Sequence, residues 1–283
     1  MDAPPVYAQL DKDFIKQGMH DDWFPYMESI AEFISDSFKK TSMGLVCDFA
    51  KDITRVYTAV FPSATVMQFL IDKDAHDALL FLHHPAVWDI RKAPDVFEQM
   101  RPDLLQQFKD KRIAIYTLHV PLDDYGAYST SVTLAKALGI LPEKAFAPYY
   151  GALAGVFGKT AATTVHDLQN IFSEAVHHAV SLYAYGSAAI ADGRVAVVAG
   201  GGNDIEMLQE IAQVGITTFV TGITAKNSHS QAAHDFAKAH GINLLGGTHY
   251  STERFACQAM CSYFSKMGLP AEFIPDIPVM EDE

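Results

Sequence analysis

His83 and His84 stand together in FLHHPAVW, immediately before Pro85. Neutral imidazole is the commonest protein metal ligand, and a proline that stops regular alternation lets adjacent side chains leave a strand end toward two neighbouring ions. The competing reading buries one histidine and solvates the other. His249 and Glu253 are four residues apart in GGTHYSTE, a spacing that brings both to one side of a helical turn. Here the alternative is a hydrogen bond at a helix end, with Thr252 as a candidate cap. Asp123 supplies a second carboxylate, and a carboxylate can bridge two metal ions about 3.5–4 Å apart while imidazoles terminate each one. The chemistry open to this set is metal-assisted hydrolysis.

The pattern around these residues alternates strand with helix. Met27, Ile30, Ile34 and Phe38 have helical spacing between Pro25 and Lys40. Strands are expected at 55–61, 78–82 and 113–118, and helices at 64–72, 95–109 and 131–138. The stretch 141–165, rich in Pro, Gly, Ala and Thr, reads as a change of module. Beyond it come a helix at 165–180, a strand at 194–199, a helix at 204–214, a strand at 217–221, a helix at 230–240, a short apolar run at 242–245 and a last helix at 252–267. An internal echo ties the halves together. IAIYTL leads to His119, three residues, Asp123, a helix and Leu138-Gly139-Ile140; INLLGG leads to His249, three residues, Glu253, a helix and Met267-Gly268-Leu269. Ligands of open α/β sheets gather after the carboxyl ends of strands. The expected fold is therefore α/β: two similar, interwound α/β halves, residues 1–140 and 141–283, with mixed sheets and a metal cleft between them.

Composition agrees with a folded enzyme-sized protein. The 283 residues are 49% hydrophobic and 19% charged, and the excess of 34 acidic over 21 basic residues gives a net charge of −13. Generic attraction to nucleic acid or an anionic membrane is excluded by that sign. Three cysteines cannot build a disulfide framework, and neither a leader nor a long apolar span is present, so a cytoplasmic protein is expected. Gly200 to Asp204 reads as a tight turn, since it lacks the lysine and hydroxyl of a phosphate loop. Cys257 and Cys261 read as a helix core face. His177 and His178, inside an expected helix, diverge too far to share an ion.

FLHHPAVW, HVPLD, VAVVAGGGNDIEML, TFVTG and GGTHYSTE, in this order, resemble the Nif-three-like (NGG-one-interacting factor three) family over residues 55–270. HHP and the terminal G-x-HY-x-TE pattern carry most of the resemblance. It implies a hexameric toroid with a dinuclear metal centre, and members commonly bear the name GTP cyclohydrolase I type 2. Residue by residue, it implies His83 and Asp123 on one ion, His84 and His249 on the other, and Glu253 bridging. His119 matches the family's histidine ahead of that aspartate and would lie in an outer shell or contact substrate, and His229 is a side candidate. The family's usual H-T-N-L-D reads His119-Val120-Pro121-Leu122-Asp123 here, and the usual acid after Thr221-Gly222 is Ile223. The divergent N-terminal segment is expected to alter oligomer contacts or cover the site.

The leading expectation is thus a hydrolase using two divalent ions (zinc, iron or manganese) on a small nucleotide- or pterin-like substrate, with Glu253 and His119 as catalytic residues. Arg254 is a candidate contact for an anionic group, or else a surface ion pair. The rival expectation is a non-catalytic, ring-forming metal-binding or interaction protein. A third is a single structural ion.

Overall fold

Apolar runs become buried strands wherever both faces of a sheet are covered, and this chain does so twice. The computed structural model describes residues 1–92, 96–202 and 204–283. Asp95, the expected start of one helix, and Asn203, in the expected glycine turn, lie outside the described residues. The strands in chain order are Gly44–Cys47 (β1), Arg55–Ala59 (β2), Ala78–Leu82 (β3), Val87–Trp88 (β4), Phe97–Glu98 (β5), Ile113–Thr117 (β6), Leu141–Tyr149 (β7), Ala152–Lys159 (β8), Ser181–Tyr183 (β9), Arg194–Val198 (β10), Thr218–Thr221 (β11), Asn243–Gly246 (β12) and Ala271–Phe273 (β13).

The chain divides into two discontinuous units, residues 1–122 with 257–277 and residues 123–256 with 278–283. The expected seam at 140 differs from the observed one because Thr130–Ala137 packs its Val132, Leu134 and Ala135 into the core of the second unit. In the first unit the sheet order is β1-β6-β3-β2-β13. The neighbours β6, β3, β2 and β13 are parallel, and β1 is antiparallel to β6. Every residue of β3 and β6 is buried. In the second unit the order is β7-β8-β10-β11-β12-β9, with β10, β11 and β12 parallel and the outer pairings antiparallel. Apolar clusters around Leu168, Phe172 and Val197 and around Ile211, Phe219 and Ala196 complete its core.

Several expected elements change on contact with the structure. The helix expected through Met27 and Phe38 is a 3-10 segment at Phe24–Ile30 followed by α1, Asp36–Thr41. Ser35 makes the break: its side chain accepts from Phe38 N at 3.1 Å while its own N–H bonds Val46 O, so it caps a new helix instead of continuing one. Met27, Ile30, Ile34 and Phe38 are nevertheless all buried. The module-change stretch is a long hairpin, β7–β8. The helix expected from 95 covers Pro102–Asp110 (α2), and the one expected to 180 ends at Val176 with His177 in the left-handed conformation, φ 65°. The last helix begins three residues early and spans His249–Lys266 (α3). No described helix is long and apolar enough to cross a membrane.

Candidate metal centre

In the first unit, β3 and β6 deliver three histidines from adjacent parallel strand ends. His83 and His84 follow β3, and their N–H groups donate to Ala59 O, the last residue of β2, and to Val60 O just past it, at 3.3 and 2.9 Å. His83 is fully buried, with Nδ1 3.0 Å from Leu118 O, while Thr117 Oγ1 donates to its backbone carbonyl. The His84 ring stacks on Phe61 with centroids 4.9 Å apart. His119, just beyond β6, brings its ring to 4.8 Å from His84 and 5.4 Å from His83. One ligand-capable nitrogen of each of the three lies within 4.8 Å of the others. That separation is compatible with a shared cation, whose imidazole nitrogens at about 2.1 Å would stand roughly 3.4 Å apart.

The N-terminal segment covers these rings. Trp23, 6% exposed, packs edge-on against His119 and His84, and its indole N–H points at His119 Nδ1 from 3.0 Å. Asp21 places Oδ2 2.9 Å from the same nitrogen. Neither residue was legible as a site residue, because nothing in the spacing of positions 21 and 23 links them to a histidine so far along the chain.

In the second unit, α3 starts at His249, so His249 and Glu253 share its first turns. Their Nε2 and Oε1 atoms are 3.0 Å apart, with residue exposures of 7% and 3%. The expected cap Thr252 is not the cap. Thr248 is, through Ser251 N to Thr248 Oγ1 at 3.0 Å, and His249 N donates to Asp282 Oδ2 at 2.9 Å. Thr252 Oγ1 instead accepts from Gly200 N at 2.9 Å. The chain bends at Gly200, and the bend has a purpose the sequence hid. At Gly200, φ +72°, a Cβ would run into Glu253 Oε1 and stand 3.1 Å from His249 Nε2. Only a bare α-carbon leaves the pair its room. Gly202 N is taken by Thr221 Oγ1 at 3.0 Å, so these amides serve the fold and do not cradle a phosphate. Asp123 is buried, and its Oδ1 accepts from Thr130 Oγ1 at 2.6 Å.

The remaining candidates fall elsewhere. His229 is exposed, with its N–H on Asn227 Oδ1. Arg254 donates to Ala175 O at 2.9 Å and lies over the Phe255 ring, a packing role. Cys257 Sγ contacts Ala59 O, and Cys261 Sγ lies 3.3 Å from Thr58 Oγ1, as core-facing residues would. His178 Nε2 sits 2.8 Å from Ser251 Oγ and Nδ1 3.2 Å from Glu283, whose carboxylate holds the imidazole above its usual pKa against the opposing effect of burial. The buried donors brought together are three imidazoles in the first unit and an imidazole with a carboxylate in the second, sets suited to zinc, iron or manganese and not to a thiolate-selecting ion.

A GTP cyclohydrolase 1 type 2 homolog of Archaeoglobus fulgidus is 26% identical over 83% of this chain and 89% of its own length. One from Yersinia pestis is 28% identical over the same shares. Among solved structures, protein ybgI, of unknown function, superposes with TM-score 0.76 at 19% identity over 99% of this chain and 100% of its own. A Bacillus cereus protein related to NIF3 gives 0.64 at 14%, over 99% of both. At those identities the superpositions establish a shared fold. The resemblance carried by HHP and GGTHYSTE is thereby confirmed: with the Duf34/NIF3 (NGG1p interacting factor 3) model matching residues 20–278, the chain belongs to that family.

Proposed function

We propose that this protein is a divalent-metal-dependent hydrolase acting on a small nucleotide- or pterin-like substrate in the cytoplasm, and that it works as a homohexamer. The observation that carries the proposal is that ligand-type side chains lie buried together in both units: His83, His84 and His119 past strand ends in one, His249 and Glu253 in the first turns of α3 in the other. On the family resemblance, His83, Asp123, His84, His249 and Glu253 would be the metal ligands, serving two ions. When bound there, zinc, iron or manganese would supply Lewis-acid charge and lower the pKa of water to near neutrality. The chain's own residues would do the rest. Glu253 would hold metal through its carboxylate, which the space over Gly200 leaves room for. Thr130 would orient Asp123, and Leu118 O would fix His83 with its proton on Nδ1, directing Nε2 to a metal. His119 stands with this set as the second catalytic residue. The name that these relatives share, GTP cyclohydrolase 1 type 2 homolog, supports hydrolytic ring opening of a nucleotide.

The test is metal stoichiometry of the purified protein, followed by turnover of phosphoesters and cyclic amidines with and without chelator. Two ions per chain and chelator-sensitive turnover lost in Glu253→Ala are expected. A specific observation favours a second reading. Ile223, where family members carry an acid, is 4% exposed and apolar, and Val120 and Pro121 replace a hydroxyl and an amide. Two tightly held ions with no turnover of either substrate class would place the protein with metal-binding or scaffold proteins. One ion per chain would favour a structural site.

A further inference from the structure

The N-terminal segment delivers two polar groups to one nitrogen. Asp21 Oδ2 and Trp23 Nε1 lie 2.9 and 3.0 Å from His119 Nδ1. Their demands are opposite. An indole N–H only donates and an ionised carboxylate only accepts, so Nδ1 serves Asp21 when it carries the proton and Trp23 when it does not. The Asp21 side chain is 2% exposed, and a carboxylate that deeply buried is costly unless it is hydrogen-bonded. With the Nδ1 proton given to Asp21, the lone pair of the imidazole is on Nε2. A carboxylate on the far nitrogen is the arrangement that fixes the tautomer, orients the ring and raises the basicity of metal-ligating histidines. His83 follows the same logic one strand away, with Leu118 O at its Nδ1.

We infer that His119 is a metal ligand alongside His83 and His84, and that Asp21 is its positioning residue, supplied by the N-terminal segment. This rests on the metal-centre reading above and adds a sixth ligand to it. It also gives the N-terminal segment a task, since Trp23 then covers the ligated rings and screens them from water.

The experiment uses the full-length protein loaded with Co2+, followed by its d–d absorption and by competition with a chromophoric chelator. His119→Ala is expected to change the shape of the cobalt spectrum, because a nitrogen ligand is lost. Asp21→Asn is expected to weaken cobalt binding about 10–100-fold with the thermal unfolding midpoint of the metal-free protein little altered, and Asp21→Glu to recover part of the affinity. A His119→Ala spectrum superposable on wild type, or unchanged affinity in Asp21→Asn, overturns the inference. Glu253→Ala separates the two readings: if it loses cobalt while His119→Ala does not, the metal centre stands and the sixth ligand falls. If wild type binds no cobalt, the metal centre itself falls, and the sixth ligand with it.

Discussion

Gly200 shows how one residue can hold a site open without touching chemistry. Its φ of +72° and the absence of a Cβ leave room for the His249–Glu253 pair. Gly200→Ala adds a left-handed alanine, about 1–2 kcal/mol, and forces Glu253 aside. We expect a lower unfolding midpoint together with loss of bound metal, measured by thermal denaturation and elemental analysis. His178 gives a pH signature. Its pKa in the folded protein is raised, first by Glu283, so the stabilisation is fully present below its unfolded value near 6.5 and lost as pH rises through the folded value. Denaturant titrations across that range should show wild type losing more stability with rising pH than Glu283→Gln, and equal slopes would remove the pair from the account. At this scale the sequence was informative where chemistry and local spacing coincide, as in HHP and His249–Glu253. Asp21, Trp23 and Asp282 were invisible, because each acts on a residue far along the chain.

Among the elements, α3 is the one whose placement decides most. Two groups hold its first turn: the Thr248 hydroxyl and the Asp282 carboxylate, which accepts from His249 N. The Asp282 carbonyl in turn accepts from Thr224 N and Ala225 N at 2.7 and 2.8 Å. Asp282→Ala removes an anionic acceptor from a helix start, worth about 1 kcal/mol. It should lower the unfolding midpoint and weaken metal binding together, whereas Glu281→Ala, a neighbour with no such bond among those described, should do neither. The helix expected at 64–72 is found at Ala64–Asp72, where the Ser63 side chain supplies a local cap by accepting from Val66 N at 3.1 Å. Where one continuous apolar period crossed a capping serine, as at Ser35, the period suggested one helix and the hydrogen bond made two. The β7–β8 hairpin escaped notice because its prolines and glycines mimic a linker, whereas pairing along Leu141–Tyr149 is a long-range choice.

For the molecule as a whole, the echo seen in sequence is an echo in structure. Each unit is built on three adjacent parallel strands, β2-β3-β6 and β10-β11-β12, with histidines following β3, β6 and β12. What sequence could not give is the exchange of segments, since β13 belongs to the sheet of the first unit and residues 278–283 to the second. A chain ending after Gly268 should therefore lose the cooperative unfolding of both units, because one loses a strand and the other the Asp282 contacts. Hydrogen exchange resolved by peptide would show it, and protection retained in β2 and α3 would argue otherwise.

The same exchange of segments sets a clock on biosynthesis. Thr58 Oγ1 donates to the carbonyl of Cys257, 199 residues later. At ordinary elongation rates those partners leave the ribosome about 10–40 s apart. The first sheet to emerge is thus among the last to be completed, and through that interval β2 presents an open edge to whatever else the nascent chain meets.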